Sequence, residues 1–183
     1  MQWQALESSI AEHLNQDFVI TDQHPVGGGC INEAWQIQGS DHAFFVKFNN
    51  SSLVDMFAAE FAGLQTMHAS RTIRVPKPLL VDIVDGRACL VMEYVPMGGR
   101  GQGRRMGEQL AAMHQVTAAR FGWEGDNTIG STPQINDWTS DWLSFWREHR
   151  LGFQLQLAGR HGLSAHCLLY TSDAADECCG VGG

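Results

Sequence analysis

The sequence predicts an α+β protein: a five-stranded antiparallel sheet with one packed helix, followed by the first helices of a second, helical lobe. Three observations predict it. Strand-like runs separated by short glycine-bearing breaks fill most of the first half. A glycine-rich connector, "PMGGRGQG", follows the last of them. Beyond it the apolar residues recur at helical spacing.

The elements follow in order. Trp3, Leu6, Ile10 and Leu14 recur at the period of an amphipathic helix. Three strand-like runs come next, "DFVITDQHP", "INEAWQIQ" and "HAFFVKFN", joined by "VGGG" and "GSD" as hairpin connections. In "LVDMFAAEFAGLQTMHAS", Leu53, Phe57, Phe61, Leu64 and Met67 line one helical face. "VPKP" breaks the chain, and "LLVDIVDGRACLVMEYV" reads as a hairpin turning at Asp85-Gly86. In the second half Leu110, Met113 and His114 share a stripe. A longer helix is expected over "NDWTSDWLSFWREHRLGFQLQLAGRHG", capped by Asn136 or Asp137, with Trp138, Trp142, Phe145 and Trp146 on its buried side. Two lobes are expected, joined near Glu93 to Pro96.

Composition narrows the function. With 183 residues, 44% hydrophobic and 17% charged, the chain can form a packed core. A net charge of −8 argues against a nucleic-acid partner, which needs a basic stripe. No run of eighteen apolar residues suggests a membrane span, and the first residues lack the basic start and apolar core of a signal peptide. Five cysteines without a CxxC pair read as neither a zinc site nor a disulfide framework, so a reducing, cytoplasmic setting is expected.

One residue breaks the apolar pattern. In "FFVKF", Ala43, Phe45 and Lys47 share one strand face while Phe44, Val46 and Phe48 share the other. Lys47 therefore lies on a face that otherwise favours burial, where an unpaired charge is costly. It either snorkels to water from a sheet edge or meets an anion. Upstream, Gly27, Gly28 and Gly29 fit a plain hairpin turn; they equally allow backbone N–H groups to approach phosphate oxygens with no Cβ in the way. The GxxxxGK[ST] pattern of a Walker A loop is absent. Glu60, in "MFAAEFAGL", is a candidate partner for the lysine, though a solvated flank is the commoner place for a helical glutamate. Glycine loop, strand lysine and helix glutamate, in that order, make the nucleotide-binding half of a protein-kinase-like site. "LVMEYV" stands where such folds place the hinge between lobes, although it also reads as an ordinary strand leaving a sheet.

Taken together, "GGGCINEAW", "FFVKF", "FAAEFAGLQTM", "VPKPL", "LVMEYV", "GEQLAAMHQV", "FGWEGDNTIGSTPQINDW" and "WLSFWREHRLGFQLQLA" resemble the fructosamine kinase (ketosamine-3-kinase) family. These are relatives of the aminoglycoside phosphotransferases within the protein-kinase-like fold. The resemblance runs from Trp3 to about Ser164. It implies ATP-dependent phosphorylation of a small-molecule ketosamine, with Mg²⁺ in the intact parent. Gly27, Gly28 and Gly29 would cover the phosphates, Lys47 would hold them, and Glu60 would orient Lys47. The segment Glu93, Tyr94, Val95 would receive the adenine. Asn127 to Trp138, with a turn at Thr132-Pro133-Gln134, would lie along the cleft without a chemical role. Cys30 stands where some members of the family carry a redox-sensitive cysteine; an inert thiol fits as well. Two other readings remain: a kinase of the same fold acting on an aminoglycoside or choline-like alcohol, and a non-catalytic nucleotide-binding scaffold.

The chain also departs from the family. The "HGDLW" motif with its catalytic aspartate, and the later asparagine and aspartate that hold Mg²⁺, are not in the sequence; "HGL" at residues 161 to 163 is not that motif. The resemblance therefore implies a nucleotide-binding lobe over residues 1–96 and the start of an incomplete helical lobe over 97–166, inactive alone. Residues 167–183, "CLLYTSDAADECCGVGG", are out of character and read as a translated sequencing adapter, a tail to exclude from functional reasoning.

Overall fold

A computed structural model describes residues 3–27, 31–98, 103–130 and 132–163. Backbone contacts divide the chain into two compact units, Met1–Thr117 and Ala118–Gly183.

The first unit is built on a five-stranded antiparallel sheet of order β1-β2-β3-β5-β4, with β1 Asp22–Pro25, β2 Glu33–Gln38, β3 Ala43–Asn50, β4 Pro78–Val84 and β5 Arg87–Glu93. All five expected strands form. The first is shorter than its apolar run suggests, because Asp17 to Thr21 lead into the sheet; there the Ile20 amide donates to Glu7 Oε1 at 2.7 Å. The β4–β5 hairpin turns where the sequence places it. Asp85 and Gly86 both take positive φ, 48° and 74°, as a two-residue turn matched to the strand twist requires.

The alternation in β3 decides what covers each face. Phe44, Val46 and Phe48 are buried with Ile37, Cys89 and Val91 beneath α1 (Trp3–Leu14), whose Leu6 and Ile10 are fully enclosed. Trp3 packs edge-on against Trp35, ring centroids 5.2 Å apart. The opposite face carries Ala88, Leu90 and Met92, covered by Phe57 and Leu64 of α2 (Val54–Ser70), with Phe45, Phe61 and Met67 half-buried around them. A 3₁₀ turn, Ser51–Leu53, introduces α2 and is capped by Asn50, whose side chain accepts from the Ser52 amide at 3.0 Å. Leu53, expected on the buried stripe, belongs to this turn and is exposed. Helix α3, Gly103–His114, closes the unit.

The second unit pairs a hairpin, β6 Asn127–Ile129 with β7 Thr132–Gln134, with a helical run from Trp142 to Arg160. Thr132-Pro133-Gln134 is thus a strand and not a turn. The run is α-helical over α4 (Trp142–Phe145), π-helical over Trp146–Gly152, and α-helical again over α5 (Phe153–Arg160). Its cap is Asp141, whose Oδ2 accepts from the Ser144 amide at 2.7 Å; this corrects the expected cap at Asn136 or Asp137. Hydrogen bonds from the Ser144 backbone amide and its hydroxyl hold the Asp141 carboxyl below its usual range.

Asn136 is instead buried and saturated with hydrogen bonds. Its amide nitrogen donates to Gly125 O and Asn127 Oδ1, and its Oδ1 accepts from Arg150 at 2.6 Å. Arg150 also donates to Ile135 O and lies over the Phe145 ring, 4.5 Å from its centroid. Burial pulls the Arg150 guanidinium below its ordinary pKa. Of the four aromatic residues expected on the buried side, only Phe145 is buried; Trp142 is 50% and Trp146 46% exposed.

Candidate functional site

Lys47 is the seam of the first unit. On β3 it stands opposite Ala34 of β2 and Leu90 of β5, with its side chain on the α2 face. Phe57, Glu60, Phe61 and Leu64 recur at i, i+3, i+4 and i+7 along α2, so Glu60 is carried to the sheet by the stripe that buries its neighbours. Lys47 Nζ meets Glu60 Oε1 at 2.6 Å. The two side chains keep 25% and 32% of their exposure, so the pair is only partly screened by solvent. The apolar face does meet an anion, as one of the two readings of Lys47 required.

The glycine connection is placed by register. The Val26 amide donates to Ala34 O at 2.8 Å, and Ala34 is the residue opposite Lys47. The base of the β1–β2 connection therefore stands level with Lys47, two strand spacings or about 10 Å across the sheet. Gly27 continues this limb, with no atom within 4 Å of the place a Cβ would take. Gly28, Gly29 and Cys30 lie outside the described residues.

Sequence reasoning missed the other limb of this connection. Asn49 follows Lys47 by two residues on the same face. Its amide nitrogen donates to Ile31 O at 3.0 Å and Asn32 Oδ1 at 2.7 Å. The available signal was the face itself: a second polar residue in step with the lysine.

The Glu93–Val95 segment lies at the end of β5. Glu93 pairs with Phe44, three residues along from the level of Lys47, or about 10 Å at the strand rise. The Glu93 side chain is not brought to Lys47. Its Oε1 accepts from Arg74 at 2.6 Å and its Oε2 from the Lys77 amide at 3.2 Å, which ties the α2–β4 loop to the strand end. The amides of Glu93 and Tyr94 donate to Lys77 O and Ala43 O. The Val95 amide has no partner among the described residues.

Among the described residues no group of three or more His, Cys, Asp or Glu side chains converges on a possible metal position. No helix is long and apolar enough to cross a membrane among the residues described. In the second unit an open, mostly apolar groove of about 260 Å³ runs between β7 and the π-helical turn, flanked by Pro133, Trp146, His149 and Phe153. It belongs to the expected Asn127–Trp138 region only through its hairpin wall.

The fructosamine kinase family model matches residues 2–174. A probable ketoamine kinase of Synechocystis sp. is 44% identical over 161 residues, covering 86% of this chain and 55% of the relative. The chloroplastic protein-ribulosamine 3-kinase of Arabidopsis thaliana is 49% identical over 143 residues, covering 76% of this chain and 44% of the relative. The solved "putative fructosamine-3-kinase" of Haemophilus somnus superposes with a TM-score of 0.78 at 28% identity, covering 88% of this chain and 56% of that one. The chain spans about half the length of the curated relatives it matches. The fold is α+β and kinase-like, and the chain belongs to the fructosamine kinase family.

Proposed function

We propose that this chain supplies the nucleotide-binding half of an ATP-dependent kinase acting on ketosamines of the fructosamine or ribulosamine type. The observation that carries the reading is the Lys47–Glu60 pair standing level with the base of the glycine connection. A lysine ammonium has three N–H donors. Glu60 takes one and fixes the direction of the side chain, leaving two for phosphate oxygens. Gly27 to Gly29 cover the phosphates from β1–β2, where backbone amides can approach closely. Adenine lies along Glu93 to Val95, with the Val95 amide as donor. The Glu93 carboxylate has a different task, holding the loop before β4.

In the whole reaction a sugar hydroxyl oxygen bonds to the γ-phosphorus of ATP and the bond to ADP breaks. Bound Mg²⁺ would neutralise phosphate charge in such a transfer. The residues of this chain bind and orient the nucleotide; the family's catalytic aspartate and metal-holding residues are not among its motifs, so the chain alone is not expected to turn over. The names of the relatives support the acceptor class. A cytoplasmic setting belongs to the same reading and fits the free Cys89 thiol.

The test is a titration of the chain with ATP beside its Lys47→Ala variant. Loss of the two phosphate bonds should weaken binding at least tenfold, at about 1.4 kcal/mol per decade. Equal affinity would leave a non-catalytic nucleotide-binding scaffold in which Lys47 takes no part. Substrate trials on the full-length parent test the acceptor. It should phosphorylate a fructosyl- or ribulosyl-amine, and transfer only to an aminoglycoside or choline-like alcohol would reassign it.

A further inference from the structure

Strand β3 carries two polar side chains in step, Lys47 and Asn49, about 7 Å apart along the strand. Lys47 is turned to α2. Asn49 is turned to the β1–β2 connection, and its amide is fully used. Oδ1 accepts from the Asn50 amide at 2.7 Å, which fixes the orientation of the group and leaves both Nδ2 hydrogens for Ile31 O and Asn32 Oδ1. The next residue, Asn50, caps the 3₁₀ turn that introduces α2, the helix of Glu60. Two successive asparagines therefore link the connection after the glycines to the entry of the glutamate helix.

We propose that Asn49 is a positioning residue for nucleotide phosphates, acting by holding the Ile31–Asn32 limb of the β1–β2 connection just beyond the level of Lys47. This rests on the nucleotide-binding reading above. The hairpin does not need Asn49 to close, because the Val26 amide already bonds Ala34 O at its base. The two further bonds restrain only the limb beyond that base, on the face where Lys47 lies. A limb held in place before the ligand arrives does not have to be ordered on binding, and that difference appears in affinity. Asn49 touches no phosphate in this account. It acts through Ile31 and Asn32.

The experiment compares the full chain with Asn49→Ala, which removes both donors without adding charge, and reads three quantities. Backbone order parameters at Ile31 and Asn32 should fall while those of Leu6 and Ile10 in α1 stay high. Affinity for ATP should fall about tenfold, the worth of one to two hydrogen bonds, while affinity for adenosine changes less than about twofold. If the unaltered chain binds ATP and Asn49→Ala binds it equally, the positioning role falls and the nucleotide reading stands. If ATP and adenosine weaken together, Asn49 serves only the fold and the proposal falls. If the unaltered chain does not bind ATP, the nucleotide reading falls and takes the proposal with it.

Discussion

Lys47 and Glu60 lie thirteen residues apart and join different layers, yet their charged atoms stand 2.6 Å from one another, each side chain about a quarter to a third exposed. Partial exposure sets the expected cost of breaking the pair. Removing one partner of a fully buried pair costs about 3–5 kcal/mol, and an exposed pair contributes about 0–1. Glu60→Gln keeps the shape and removes the charge, so a loss of about 1–2 kcal/mol in urea unfolding is expected. ATP affinity should fall as well, but less than in Lys47→Ala, because the ammonium remains. An unchanged unfolding midpoint with unchanged ATP affinity would make the pair a surface contact without consequence.

Much of this arrangement is written locally. The alternation of Phe44 to Phe48 gives both sheet faces and the side of Lys47, because a period of two admits no other assignment. The Asp85-Gly86 turn follows from residues that tolerate positive φ. What the sequence does not display is partnership across long separations. Nothing in Glu93 announces that Arg74 will take its carboxylate, and nothing in Asn49 names Ile31. The second unit was harder still. Periodicity places Trp142 and Trp146 on one stripe with Phe145, but a stripe says only which side chains align and not what covers them, and here only Phe145 is buried. Asn136 read as a cap because capping and buried bridging use the same side chain.

Glu33 gives the sheet a pH dependence. Its carboxylate accepts from the Trp35 indole N–H and from Arg87, both at 2.6 Å, and these two bonds hold its pKa below the ordinary 4.5. A group depressed in the folded state stabilises the fold above its unfolded pKa and stops doing so as pH falls through the folded value. The contribution is therefore complete above about pH 5 and lost below 4.5. Glu33→Gln should show a flatter stability profile through that acid window than the unaltered chain, measured by thermal unfolding at a series of pH values. Parallel profiles would remove Glu33 from the acid response.

Cys89 should be chemically silent. It is fully buried on the α1 face of β5, and burial, assisted by the nearby Asp82 charge, pushes its thiol up to about 12. At pH 8 roughly one such thiol in ten thousand is ionised, and the thiolate is the reactive form. Iodoacetamide followed by peptide mapping should leave the Cys89 peptide unmodified in the native chain and modify it in urea. Modification at equal rates in both conditions would mean that the β4–β5 hairpin opens under native conditions.

Gly152 tests the π-helical turn. A Cβ built there lies 2.6 Å from Arg147 O, a backbone atom that cannot swing aside as a side chain could. In a regular exposed α-helix, Gly→Ala raises stability by about 1 kcal/mol, since alanine loses less entropy on forming the helix. The wider turn reverses the sign. Gly152→Ala must either strain the backbone at Arg147 or shift the register that lets Arg150 bond Ile135 O and Asn136 Oδ1. A loss of about 1–3 kcal/mol is expected on either route. The measurement is urea unfolding followed by tryptophan fluorescence, to which Trp142 and Trp146 beside the turn contribute. A gain in stability would mean that the segment takes ordinary α-helical geometry, and that Arg150 reaches Asn136 without the wider turn.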